Sequence, residues 1–284
     1  MKLRNPAALA LLLLSAATPA AALELHPERS SPYDLAVTGR LAGVPDGGTA
    51  YVRWPDLRAL PSARLTVDGE FMMGPQVLTV VSLSDLWTAL PTGPGTDSIL
   101  ATCADGYASV YTLAFIADYR PFIVLEINGK GPRDWPPSGV TFNPGPYAIL
   151  VSADFEPRVA SYPNVQHKKP WGVTTLEVAS YADRFRGFYS GKWSSLSQAA
   201  AAGREAWVNT CASCHAGPPG AFGGTKAGRP FPVIAAYAGY DRAFFMKYVR
   251  DPKSLVPCAK MEPHPRYTDG ELSGLIEFIT EGQQ

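Results

Sequence analysis

The spacing of apolar positions along this chain changes near residue 190. Before it, apolar residues come in short runs of four or five, separated by Gly, Pro, Asn and Asp. Such runs predict strands at Leu35 to Thr38, Val77 to Val81, Ile99 to Thr102, Ile123 to Ile127, Ala148 to Val151 and Thr174 to Val178. Asn128-Gly129, directly after the fourth run, predicts a tight hairpin turn. Ser84 to Leu90 predicts one short helix with a serine cap. After residue 190 the apolar spacing becomes helical. Leu272, Leu275, Ile276 and Ile279 form one stripe, flanked by Phe278, and Thr268 with Glu271 forms a capping box in front of it. Leu196 to Thr210 and Asp241 to Arg250 predict two further helices. In the first, Gly203 and Trp207 lie on one face, and Cys211 continues that spacing past its end. A small residue beside an aromatic lets a second helix cross closely.

The pattern therefore predicts two domains: 23–189, mainly β or α+β, and 190–284, all-α. The length of 284 residues suits that division, and the 46% apolar and 18% charged content is that of a globular protein. Lys and Arg balance Asp and Glu at 25 each, so the charge points to neither nucleic acid nor an anionic membrane as partner.

The start of the chain has a different character. A basic opening, Met1-Lys2-Leu3-Arg4, precedes an apolar run from Ala7 to Leu14 and the small residues Ala20-Ala21-Ala22. This is the pattern of a cleaved signal peptide over 1–22, its apolar run too short to span a bilayer. It lacks paired arginines, which fits the general secretion route. The expectation is a periplasmic protein with no integral membrane segment after cleavage, in a compartment that permits disulfides.

Cys211-Ala212-Ser213-Cys214-His215 is the strongest chemical signal. Two thiols at this spacing can each add to one vinyl group of a porphyrin, and the adjacent imidazole can ligate the iron. A thioredoxin-like pair would need a βαβ context, and zinc a second Cys/His pair at suitable spacing. Neither is present. One covalent haem c is expected, and with it one-electron transfer.

With that motif in place, Ser190 to Gln284 resembles a class I cytochrome c domain. The family has a helix leading into the haem motif, a last helix crossing it, and an axial methionine on a loop shortly before that helix. The resemblance implies thioether bonds from Cys211 and Cys214, His215 as proximal ligand and Met261, in Lys260-Met261-Glu262-Pro263, as the sixth. Met246 and His264 are rivals for that position; Met246 falls on the core face of its predicted helix. Arg229-Pro230 resembles the family's proline segment behind the haem histidine. Phe222, Phe231, Tyr237, Tyr240, Phe244, Phe245 and Tyr248 are candidates to line the crevice.

A second resemblance rests on four segments in order: Val81 to Trp87, Ala104 to Tyr107, Leu125 to Gly129 and Gly145 to Val151, with Trp171 to Val178 fitting as well. Together they resemble the molybdopterin-binding domain of the sulfite oxidase family. The metal-ligating cysteine of that family is missing from Asp68 to Gln76, and no cysteine precedes Cys103. His167, Lys168 and Lys169 form the one basic cluster and are expected in a solvated turn. A general-secretion signal also suits haem attachment to an unfolded chain better than export of a folded molybdoenzyme. Molybdopterin is therefore not expected.

These readings combine into a periplasmic monohaem cytochrome c. It would carry electrons from a partner dehydrogenase to a cytochrome or oxidase acceptor, with the N-terminal domain as scaffold and no catalytic residue of its own. The alternative is a sulfite oxidase-like molybdoenzyme with Cys103 on the metal and a built-in haem acceptor. A haem sensor with an open sixth position is a third reading. Cys103 and Cys258 remain as either a disulfide or two separate thiols.

Overall fold

The computed structural model describes residues 22–69, 71–162 and 165–281; the predicted signal peptide lies outside them except at Ala22. The described chain is a mixed sheet with helices. Its strands are β1 (Leu35–Gly39), β2 (Thr49–Val52), β3 (Ala63–Val67), β4 (Gln76–Ser82), β5 (Ser98–Cys103), β6 (Ala108–Thr112), β7 (Phe122–Ile127), β8 (Tyr147–Leu150) and β9 (Trp171–Ala179). They form one nine-stranded sheet in the order β2-β1-β9-β8-β7-β4-β3, with the β5–β6 pair attached to β9. Only β1 and β9 run parallel; the other pairs are antiparallel.

Alternation assigns side chains to the two faces of this sheet. Ile123 and Leu125 of β7 enter one core, with Leu35, Leu86 and Ile149, while Phe122 and Val124 enter the opposite core, with Leu78 and Leu150. Burial on both faces explains why β7 is an unbroken apolar run. Three short helices, α1 (Trp54–Ala59), α2 (Leu83–Ala89) and α3 (Leu113–Tyr119), pack on the first core. The cap of α2 is Ser82, which accepts from the Asp85 N–H at 2.9 Å, and not Ser84 as the sequence suggested. Asn128 and Gly129 both take positive φ and make the expected turn, closed by two bonds between Ile127 and Lys130. No strand follows it; the next partner of β7 is β8.

From Tyr181 onward every regular element is helical: α4 (Tyr181–Arg184), α5 (Arg186–Tyr189), α6 (Gln198–Asn209), α7 (Phe231–Tyr240), α8 (Arg242–Arg250), α9 (Pro252–Leu255) and α10 (Asp269–Glu281), with short 3₁₀ turns between. The Thr268 capping box forms as expected: the Glu271 N–H donates to the Thr268 hydroxyl, and the Thr268 N–H donates to the Glu271 carboxylate. None of the described helices is long and apolar enough to cross a membrane.

The helical core reaches back across residue 190. Phe185 and Phe188 share it with Trp207, Phe231 and Phe278, and Leu100, Val110 and Ala179 contribute from the sheet. Its centre is the crossing of α6 and α10. Gly203 and Gly274 face each other there. A Cβ on Gly203 would collide with the Gly274 carbonyl, and one on Gly274 with the Ala199 carbonyl. Gly203→Ala should therefore destabilise the chain by about 1–3 kcal/mol, the usual cost of overpacking, measured by urea denaturation. Gly228→Ala, where an added Cβ meets open space, should have little effect and serves as the control.

Candidate functional site

Helix α6 starts on Ser197, whose hydroxyl accepts from the Ala200 N–H at 3.0 Å, and ends just before the two-cysteine motif. The motif is one helical turn. The Cys211 carbonyl accepts from the Cys214 N–H at 3.1 Å and from the His215 N–H at 2.8 Å. Cysteines three apart on such a turn present their thiols on the same side. Both thiols are free and half-buried. Burial pushes Cys211 up to about 12 and Cys214 up to about 11. The His215 ring lies 6.0 Å from that of Trp207, and its Nδ1 is buried with no hydrogen-bond partner among the described residues. Burial, the Arg229 charge and His264 hold its basicity below that of a free imidazole. Pro230 does not back this histidine with its carbonyl, which accepts from Val233 and Ile234 at the start of α7 instead.

Two loops meet at this turn. The first, 216–230, folds back along it. Gly224 N–H donates to the Ala212 carbonyl at 2.7 Å and Ala227 N–H to that of Cys214 at 2.9 Å. Gly223 and Gly224 are required by this close return, since added Cβ atoms would strike the carbonyls of His215 and Ser213. The second loop, between α9 and α10, carries Met261. It is strapped by the His264 N–H to the Val249 carbonyl (3.0 Å) and by the Tyr267 hydroxyl to that of Thr210 (2.8 Å). Thr210 immediately precedes Cys211. Met261 is half-buried, packed on the same helical core as Cys211, and stands in the wall of an open groove of about 320 Å³. Met246 also packs on that core, in its expected structural place. Of the candidate crevice aromatics, Phe231 is buried against Trp207, whereas Tyr240 is 92% exposed.

The sheet supplies neighbours that the sequence did not reveal. The turn between β5 and β6 touches the first loop: the Thr225 N–H donates to the Gly106 carbonyl at 2.8 Å, and Lys226 pairs with Asp105 at 2.9 Å. His167 and Lys168, expected in a solvated turn, are both buried, in a 3₁₀ turn under β6. The cause is a set of bonds to β6 and the residue before it. Tyr107 Oη lies 3.1 Å from His167 Nδ1, the Ser109 hydroxyl donates to the His167 carbonyl at 2.6 Å, and Lys168 Nζ donates to the Val110 carbonyl at 2.7 Å. Lys168 also stands over the Phe115 ring, 5.1 Å from its centroid. The His167 ring stacks on that of His264 at 5.4 Å. Lys168 borders a void of about 10 Å³ shared with Val208, Ala212 and Phe222. Cys103, at the end of β5, is buried and Cys258 is exposed; both are free thiols.

These residues fit a covalently held haem in their chemistry. Two free thiols share one turn, an imidazole with an unpartnered buried nitrogen follows them, and a thioether sits on a loop tied to the same turn.

No family model matches the chain, and no curated protein matches it. Among solved structures it is similar to the sulfane dehydrogenase SoxCD from Paracoccus pantotrophus, at 13% identity and a TM-score of 0.37. That alignment covers 56% of this chain and 42% of the other, so the chain spans less than half of that protein's length. The likeness is too distant to assign a fold or an activity.

Burial pushes His167 down to about 3 from 6.5. Below pH 6.5 the unfolded chain takes up a proton that the folded chain refuses, so this contribution to stability is lost as pH falls toward 3. From pH 7 to 5 the wild type should lose on the order of 2 kcal/mol more than His167→Phe, read as the difference in denaturation free energy at the two pH values.

Proposed function

We propose that this chain is a periplasmic monohaem c-type cytochrome. It passes single electrons between a partner dehydrogenase and a downstream cytochrome or oxidase, and the sheet acts as its scaffold. The observation that carries this reading is the placement of Cys211, Cys214 and His215 on one turn with both thiols unbridged. Cys211 and Cys214 would hold the porphyrin, and His215 and Met261 would ligate its iron. When bound, the haem supplies one-electron oxidation and reduction at iron, with a potential raised by thioether ligation relative to two imidazoles.

The chain's own residues do the rest. Trp207 beside His215 restrains the imidazole. The Tyr267–Thr210 bond ties the Met261 loop to the residue that precedes the first cysteine. The sheet meets the two loops that flank the motif, through Gly106, Asp105 and His167, which supports its reading as a scaffold.

Expressed with a haem-maturation system, the wild type should keep peroxidase stain through a denaturing gel, and Cys211→Ala/Cys214→Ala should lose it. Met261→Ala should keep the stain but bind carbon monoxide readily when reduced. An unstained wild type would sink the proposal. So would a wild-type sixth position already open to carbon monoxide, which belongs to a sensor. Stoichiometric molybdenum, or reduction of the haem by sulfite without a partner protein, would replace the scaffold role with an enzyme.

A further inference from the structure

His167 and His264 belong to opposite sides of the junction between sheet and helices. His167 sits in the 3₁₀ turn Val165–Lys168 beneath β6. His264 sits on the loop that carries Met261, three positions after it. Their rings stack at a centroid distance of 5.4 Å with 28° between planes. Both are buried, and His167 Nε2 and His264 Nδ1 have no hydrogen-bond partner among the described residues. The contact is therefore a packing contact between two desolvated rings, not a hydrogen bond.

Each ring is fixed from behind. Tyr107 holds His167 through its Nδ1 at 3.1 Å. The backbone of His264 is held by Val249, and its ring lies 6.0 Å from that of Tyr267, which bonds Thr210. Tyr107 also has the Lys226 ammonium 5.4 Å from its ring centroid, and Lys226 belongs to the loop that folds back over the cysteine turn. The sheet thus grips both loops: 216–230 through Asp105, Gly106 and Tyr107, and the Met261 loop through His167. Neither loop has a regular element of its own over these stretches, so contacts of this kind set where their side chains stand.

We propose that His167 is a positioning residue: by stacking on His264 it holds the Met261 loop closed toward the turn that bears His215, so the sheet controls occupancy of the sixth haem position. This rests on the haem reading given under Proposed function. A loop held less firmly is open for a larger fraction of time, and an added ligand that takes the vacated position binds more tightly in proportion.

The test uses the full-length haem-loaded protein and imidazole as the competing ligand. In the ferric state, His167→Ala should bind imidazole about tenfold more tightly than the wild type. It should also weaken the long-wavelength charge-transfer band of thioether-ligated haem. His167→Phe keeps a ring for His264 to stack on and should restore both towards wild type. Tyr107→Phe, which frees His167 Nδ1 but keeps the ring, should fall between. Equal imidazole affinity and an unchanged band in wild type and His167→Ala would overturn the proposal. So would a tightening that His167→Phe shares in full, since loss of the ring would then not be its cause. A wild type that stains for haem but shows no effect of His167 defeats this inference alone. A wild type without haem defeats the functional reading beneath it.

Discussion

The close crossing of α6 and α10 is the constraint from which the rest of the helical region follows. Backbone meets backbone there because Gly203 and Gly274 carry no Cβ. That contact fixes the axis of α6, and α6 ends within two residues of Cys211. Trp207 is wholly buried one turn before the motif and contacts Phe231, Phe278 and His215. Displacing the crossing would move the cysteine turn with it. The last helix therefore acts on the motif from the far end of the sequence, chiefly through close backbone packing.

A second layer of control comes from the sheet, through polar contacts, a ring stack and apolar packing. Gly106, Asp105 and Tyr107 meet the loop that covers the cysteine turn, and His167 meets the loop of Met261. Leu100 and Val110 add apolar contact from the same strands. The helical part is thus seated on the β5–β6 pair, the two strands attached to the side of β9. Burying His167 and Lys168 there costs solvation, partly offset by the Tyr107 and Val110 bonds and by the Phe115 ring over which Lys168 lies.

The sequence disclosed elements with strong local patterning and missed those defined by distant partners. Six strands were legible because their apolar runs are long or β-branched. β6 was not, since Ala108-Ser109-Val110-Tyr111-Thr112 has little alternation and gains its strand identity from β5. The capping box of α10 was legible because its two residues are three apart; α7, which opens on Phe231-Pro232, offered no such cap. Cys211, Cys214 and His215 were singled out by spacing alone, and the structure places them on one turn. His167 could not be, because a histidine and two lysines before a proline look like solvated charge. Only the fold shows that Tyr107, Ser109 and Val110 stand over them.

The seam between sheet and helices joins stretches far apart along the polypeptide: Gly106 with Thr225, and His167 with His264. Closing such long loops costs entropy before any contact is gained, which makes the seam a late event in folding. Until it forms, Gly106 and Asp105 do not hold the returning loop 216–230 over Cys211 and Cys214. Once it has formed, the returning loop shields them. On the reading proposed above, covalent attachment at these thiols would precede closure of the seam.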